Sequence, residues 1–265
     1  MEKLRQKILS ANIEEHEKEA KYYDTIHTEL FNRYEQKRIN KSLDAALNKF
    51  DKDSKILDVG CGTGNLTIGL LERGFKNLTS LDISEEMIRE LKKKVKKYDC
   101  NINFMVSDLD TFLQRNDSKF DIVLISSVLH HLPDYISSLK HLKETLNENG
   151  CIYITHEPLP PPKPSILAKL LSRLDFSIYA VRYLILIAFG RLKYLKRDCR
   201  YSDYHTGQRA INLLEVKRIF KGNNYKTTIS EYSTAKFGFT ALLLNRLRFF
   251  NNFELIVSKR GNEKS

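Results

Sequence analysis

Glycine and proline are scarce, 11 and 6 in a chain of 265 residues, which excludes collagen-like and low-complexity organisations. Five of the six prolines crowd into the short stretch Glu157–Pro164, leaving the rest of the chain free to form long regular elements. Cysteine is rare as well. Cys61, Cys100, Cys151 and Cys199 stand too far apart for a zinc site of the paired-cysteine kind, and they build no disulfide framework. A reducing, cytoplasmic compartment is the simplest expectation, with no metal implied. No uncharged apolar run reaches eighteen residues, so no membrane-spanning helix is expected. The first ten residues are charged and have none of the apolar character a secretory signal requires.

What is present is a good supply of core-forming residues, 42% of the chain, and a net charge of +11. The charge is unevenly placed. Residues 151–265 carry 20 Lys/Arg against 8 Asp/Glu, a net of +12, while residues 1–150 carry 24 against 25, a net of −1. All the excess positive charge lies in the C-terminal part, which points to an anionic partner: a phosphate group, a membrane surface or nucleic acid.

The first fifty residues read as helix. Glu14–Tyr23 and Glu29–Phe50 lack proline and glycine, and Leu30, Tyr34, Leu43, Ala46, Leu47 and Phe50 recur at helical spacing. After the polar break Asp51–Ser54, short apolar runs alternate with helical stretches. Strands are expected at Lys55–Val59, Leu78–Ile83, Ile102–Val106, Asp121–Ser126 and Cys151–Thr155. Helices are expected at Asn65–Arg73, Glu85–Lys97 (with Ser84 as N-cap) and Asp134–Leu146. Strands separated by helices pair in parallel with right-handed crossovers, so the fold class is α/β, a doubly wound, mostly parallel sheet. A helix at Arg209–Phe220 and strands at Tyr225–Tyr232 and Phe253–Lys259 complete seven strands with a final antiparallel hairpin. The stretch Phe237–Phe250 between those last two strands is a long insertion. The organisation expected is an N-terminal helical cap (1–53) and a main domain (54–265) carrying a lid insert (158–208).

The run Asp58-Val59-Gly60-Cys61-Gly62-Thr63-Gly64 closes the first strand and opens the first helix of the alternating region. Glycines at 60, 62 and 64 permit a tight turn and the close approach of a ligand. Asp82 ends the second strand, 18 residues beyond Gly64, where a carboxylate accepts both hydroxyls of a ribose. A nucleoside-containing cofactor follows. The spacing is not the GxGxxG of dinucleotide sites, and Asp58 would repel a pyrophosphate while suiting a cationic amino-acid cofactor. Electrostatics therefore favour S-adenosylmethionine over NAD.

Ile56–Gly64, followed by Leu81-Asp82-Ile83-Ser84-Glu85-Glu86-Met87-Ile88, resembles the class I S-adenosylmethionine-dependent methyltransferases over roughly residues 15–157. The resemblance implies a glycine loop under the methionine moiety, Asp82 on the ribose hydroxyls, Ile83 against adenine and Asp108 near the adenine amino group. It adds Cys61, Met87, Leu109 and Ser126 to the cofactor site, with Tyr23 and its neighbour Tyr22 as an N-terminal cover.

The strand Phe120–Ser126 and its exit loop would face the methyl group. Nucleobase amino-methylases carry an Asn/Asp-Pro-Pro-aromatic run here, and this chain carries His130-His131 instead. Imidazole takes protons near neutral pH, so His130 and His131 are candidate general bases. In-line positioning can itself supply much of the rate. His156-Glu157 ends the fifth strand at the expected rim. His205 is a third candidate base, with Asp203 as the neighbour that would orient it. For His16, His27 and His141 packing or surface roles are expected.

Residues 163–200 interleave nine Lys/Arg with many apolar side chains and hold only two acids, Asp175 and Asp198. Arg182 falls nearly opposite Lys169, Arg173 and Arg191 on a helical projection, so two shorter helices are expected there rather than one amphipathic one. Such a segment suits a greasy, basic-rimmed pocket for a lipid, isoprenoid or quinone-like acceptor, with contact to an anionic membrane surface. Phe237–Phe250 has the same character. RNA methylation by the basic part and a non-catalytic, partner-binding scaffold are the alternatives, and no nucleic-acid-binding module accompanies the basic residues.

Overall fold

Two strands buried along nearly their whole length, Ile56–Val59 (β1) and Phe120–Ser126 (β4), lie side by side in parallel, Ile56 opposite Ile122 and Val59 opposite Ile125. In this computed structural model, which describes residues 2–160, 162–194, 199–206, 210–222 and 224–260, they form the middle of a seven-stranded sheet. The other strands are Asn77–Asp82 (β2), Asn101–Val106 (β3), Leu146–Pro158 (β5), Tyr225–Tyr232 (β6) and Asn252–Lys259 (β7). Their order is β3-β2-β1-β4-β5-β7-β6, and only β7 runs against its neighbours. Strand order reverses between β1 and β4, and the carboxyl ends of parallel strands at such a point leave a crevice for a ligand.

Apart from Asp58, Asp121 and Ser126, the β1 and β4 side chains are apolar on both faces because helices cover both. On one face, Leu57, Val59, Val123 and Ile125 pack with Leu139 and Leu142 of Tyr135–Glu144 (α8). On the other, Ile56, Ile122 and Leu124 pack with Leu66 and Leu70 of Asn65–Glu72 (α5) and Ile88 and Leu91 of Glu85–Val95 (α6). Ser84 caps α6 as expected, its hydroxyl accepting from the Met87 amide, and Asp134 does the same for α8 toward Ser137. Leu109–Arg115 (α7) is capped by Asp108.

The N-terminal residues are helical throughout, as Glu2–Glu19 (α1), a short turn at Ala20–Tyr22, Tyr23–Ile26 (α2), Thr28–Phe31 (α3) and Arg33–Leu47 (α4). Ile39, Leu43, Ala46 and Leu47 of α4 join the core on the α5 side.

Three expectations need correction. The fifth strand runs from Leu146 to Pro158, longer than Cys151–Thr155, because antiparallel pairing with β7 carries it onward to Glu157 and Pro158. The helix expected from Arg209 is Leu213–Ile219 (α11), capped by Asn212; Arg209 itself lies outside the described residues. The two short helices expected after the prolines are one 23-residue helix, Ile166–Ala188 (α9), followed by the single turn Cys199–Ser202 (α10). No glycine or proline interrupts residues 166–188. Arg182 fits because it turns inward, its guanidinium donating to the Thr25 carbonyl. Residues 195–198 of the same basic stretch are outside the described residues. The insertion in the last hairpin holds the helix Gly238–Arg246 (α12).

Candidate active site

The glycine loop turns sharply at the tip of β1. Gly60, Gly62 and Gly64 all have positive φ (62°, 52° and 99°), the left-handed region that suits glycine. A side chain on Gly60 would collide with Val128, whereas the space beside Gly62 is open. That open space belongs to a partly open cavity at the strand ends. Of the residues singled out for a cofactor, Tyr23, Gly60, Gly62, Asp82, Ile83, Met87, Asp108, Leu109 and Ser126 line it.

The remaining three stand behind the wall. Cys61 is buried, with its amide bonded to the Leu81 carbonyl, because the loop's turn directs it toward the α4–α5 side of the core. Gly64 is the N-cap of α5. Asp58 is buried and accepts from the Thr67 hydroxyl at 2.6 Å. Burial pushes its carboxyl up to about 7; the Thr67 bond opposes the rise and the Asp82 charge adds to it. Burial also raises the Asp82 carboxyl, against the pull of His16 and of backbone amides. Asp82 Oδ2 accepts from the Gly62 amide at 2.8 Å and Oδ1 from the Ser84 amide at 2.9 Å. These bonds fix the carboxylate at the end of β2 with lone pairs to spare. Both carboxyls are raised by burial, and a cationic ligand nearby would lower both.

Helix α1 lies across this cavity. Leu9, Asn12 and His16 line it, and the long-range bonds that hold the helix down include Arg5 to Asp108 at 2.8 Å and Asn12 Nδ2 to the His131 carbonyl at 3.0 Å. Asn12 Oδ1 is buried without a hydrogen-bond partner, in a residue that lines the cavity. Tyr23 lines the cavity, whereas Tyr22 does not and instead stacks under Lys21.

A second cavity adjoins the first and shares His16, Tyr23, Ser127 and His131 with it. Five histidines line it: His16, His27, His130, His131 and His156. His130 Nδ1 is 2.9 Å from Glu157 Oε2. The same carboxylate accepts the amides of Val128, Leu129 and His130 and is fully buried. A carboxylate only accepts, so Nδ1 carries a proton, and in the neutral ring Nε2 is the nitrogen with the free lone pair. His131 Nδ1 lies 2.6 Å from the Ser202 carbonyl, which fixes the same tautomer there. Burial, and then the His130 and His16 charges, hold the His131 pKa well below the ordinary imidazole value, so this ring is neutral. His156 is buried with φ of 57°, and Nε2 lies 2.8 Å from Glu35. A non-glycine residue held in that conformation is a mark of a constrained site.

His205 is set apart from both cavities. Its amide donates to the His130 carbonyl, and its ring packs edge-on against Tyr135. Asp203, expected to orient His205, lies instead 3.6 Å from His131 Nδ1. His16 and His27, for which packing or surface roles are expected, both line cavities. A signal for α1 was available: Leu9, Asn12 and His16 are spaced by three and four and share one face.

A doubly wound sheet of this order, with a glycine loop at β1 and an acid at the tip of β2, is the Rossmann-like methyltransferase fold. Residues 56–150 match the family model described as a methyltransferase domain. The chain is 35% identical over 132 residues to a demethylmenaquinone methyltransferase of Staphylococcus epidermidis, covering 48% of this chain and 54% of that one. It is 30% identical over 104 residues to a ubiquinone biosynthesis O-methyltransferase of Coxiella burnetii, covering 39% and 44%. The chain thus spans about half the length of these curated relatives. Among solved structures, the plantazolicin methyltransferase BpumL in complex with SAH aligns over 98% of this chain and 99% of its own, with a TM-score of 0.56 at 16% identity. The magnesium protoporphyrin IX methyltransferase of Synechocystis PCC 6803, with bound SAM, aligns over 85% and 80%, with a TM-score of 0.50 at 18% identity. These two likenesses concern the fold.

Proposed function

We propose that the chain transfers a methyl group from S-adenosylmethionine to a hydroxyl of a small, hydrophobic, quinone-like acceptor, with His130 as general base and Glu157 as its positioning residue. The observation that carries this reading is the pairing of two adjoining cavities. One holds Asp82 and the open space at Gly62; the other holds His130 locked against Glu157.

The first cavity fits the cofactor. Asp82 would hold the ribose, Gly62 leaves room for the chain of the amino acid, and Asn12 Oδ1 offers an acceptor that has no other partner. Helices α1 and α2 then serve as the cap and α9 as the lid. The bound cofactor supplies a methyl group on a positively charged sulfur. His130 Nε2 accepts the acceptor's hydroxyl proton as its oxygen takes the methyl, and Glu157 stabilises the imidazolium so formed. Neutral His131 presents its ring as wall and hydrogen-bond acceptor, and Tyr23 closes the boundary between the cavities. The demethylmenaquinone methyltransferase and the ubiquinone biosynthesis O-methyltransferase among the relatives support a quinone-like acceptor. Such molecules dissolve in bilayers, so a membrane surface is where this acceptor would be met.

The test is transfer of labelled methyl from S-adenosylmethionine into fractionated lipid, water-soluble and RNA extracts. Label in the lipid fraction, lost in His130→Ala, is the expected result. Label confined to RNA would make the basic C-terminal part an RNA-binding surface. No label in any fraction from a chain that still binds S-adenosylhomocysteine would support a non-catalytic scaffold.

A further inference from the structure

Helix α9 is polar on the inside and apolar on the outside. Its only acid, Asp175, is buried and accepts the amides of Lys236 and Phe237, at 2.9 Å and 3.1 Å. Tyr179 donates to the Ile26 carbonyl and Arg182 to the Thr25 carbonyl. With Ala168 these residues form the face turned to the protein. The opposite face carries Ile166, Leu170, Leu174, Val181 and Leu184, with exposures of 80, 57, 58, 56 and 63%. At 100° per residue these five fall within an arc of roughly 80°. A helix folded only against water and its own domain orients the other way round, with its apolar stripe inward. An exposed apolar stripe of this length marks an interaction surface.

We propose that this outer face docks on an anionic lipid bilayer, with α9 lying in the plane of the interface between headgroups and acyl chains. Charge complementarity selects lipid over a second copy or another protein. Lys163, Lys169, Arg173, Arg191 and Lys193 are all exposed on or beside the helix, and no acid accompanies them on its outer face. Lysine and arginine flanking an apolar stripe reach phosphate headgroups while the stripe enters the acyl boundary. Phe239, 72% exposed, lies on α12, whose N-terminal end is tied to Asp175 through the Phe237 amide. It extends the apolar surface beyond α9. Among the described residues no helix is long and apolar enough to cross a membrane, so contact is parallel to the surface. The inner face of α9 bonds to Thr25 and Ile26, next to His27 on the wall of the histidine-lined cavity. A docked α9 therefore sets that cavity beside the bilayer. This last step rests on the proposed acceptor; the docking itself rests on the surface alone.

The experiment is co-sedimentation of the full chain with phosphatidylcholine vesicles, with and without phosphatidylglycerol. Binding is expected only with the anionic lipid, falling as salt rises. Leu174→Asp/Val181→Asp and Lys169→Glu/Arg173→Glu are each expected to weaken it tenfold or more while circular dichroism melts stay unchanged. Lys92→Glu, on the exposed face of α6, should bind as the wild type does. No binding at low salt, or binding that both pairs of changes leave intact, overturns the proposal. So does a dimer in sedimentation velocity that Leu174→Asp/Val181→Asp dissociates without any vesicle binding, since it assigns the face to a second copy. Calorimetry of S-adenosylhomocysteine without vesicles reads the cofactor site separately, so failure of docking and failure of the enzymatic reading are distinguishable.

Discussion

His130 and Glu157 meet across the ends of adjacent parallel strands, Nδ1 to Oε2 at 2.9 Å, and the carboxylate that holds the ring also gathers the three backbone amides of residues 128–130. The loop after β4 and the tautomer of its histidine are thus set by one buried side chain from β5. Replacing Glu157 by Gln keeps the shape and an acceptor oxygen for the amides, but weakens the acceptor at Nδ1 and removes the charge that stabilises imidazolium. The expected outcome is a kcat lowered roughly 10²- to 10⁴-fold, the range of general-base effects, with cofactor affinity unchanged. The acid limb of the kcat–pH profile should move as well. An unaltered kcat and pH profile in a folded Glu157→Gln enzyme would remove the positioning role.

Asp82 and Gly62 govern cofactor affinity. Asp82→Ala deletes a carboxylate whose hydrogen bonds to hydroxyls are worth about 1.5–3 kcal/mol each, so affinity for S-adenosylhomocysteine should drop at least tenfold. Gly62→Val places a branched side chain at φ of 52° and fills open cavity space, and it should abolish binding. Isothermal calorimetry measures both. Equal affinity in the two variants and the wild type refutes the site assignment.

Asn12 gives a sharper test of the helical cap, because its buried Oδ1 has no partner while Nδ2 bonds the carbonyls of Ile8 and His131. Asn12→Ala should weaken cofactor binding by about tenfold, the worth of roughly one hydrogen bond. Protection of α1 amides from hydrogen exchange by S-adenosylhomocysteine should fall in parallel. If calorimetry finds full affinity in Asn12→Ala, the cap does not touch the cofactor.

The sheet and the nucleoside end of the site were legible in the sequence because their signals are local. Short apolar runs mark β1 and β4, a serine caps α6, and three glycines meet a single acid over a span fixed by one βαβ unit. The catalytic end was only half legible. His130-His131 stands out, but its partner Glu157 comes 27 residues later and joins it only through the β4–β5 register, in which Ser126 pairs with Thr155. His16 and His27 were hidden for the same reason. They sit on N-terminal helices whose polar faces look like solvent faces until α1 is laid over the cavity. The projection that argued for two shorter helices within residues 163–200 failed because it treated Arg182 as solvated, whereas its guanidinium donates to a carbonyl inside.

His27 supplies the last prediction, through pH. It lies between Glu19 and Glu29, with Nε2 3.0 Å from one carboxylate and Nδ1 3.1 Å from the other. Burial disfavours the imidazolium, but the two carboxylates outweigh it and hold the pKa above the ordinary 6.5. Burial likewise opposes charge on Glu29, yet His27 and Lys236 hold its carboxyl down to about 2 from 4.5. A raised histidine contributes stability that is complete below its unfolded value and is lost as pH climbs through the folded one. A lowered carboxyl contributes stability that is complete above its unfolded value and is lost as pH falls toward the folded one. Both contributions are therefore present together between pH 4.5 and 6.5. His27→Gln, which loses hydrogen bonds between charged groups worth about 1.5–3 kcal/mol, should be most destabilised in that window. The gap to the wild type should narrow at higher pH, as the native imidazolium deprotonates, and again below 4.5, as Glu29 in the unfolded wild-type chain takes up its proton. Urea denaturation at a series of pH values measures the gap directly. Two stability curves that run parallel from acid to alkaline pH would show that His27 carries no charge in the folded protein.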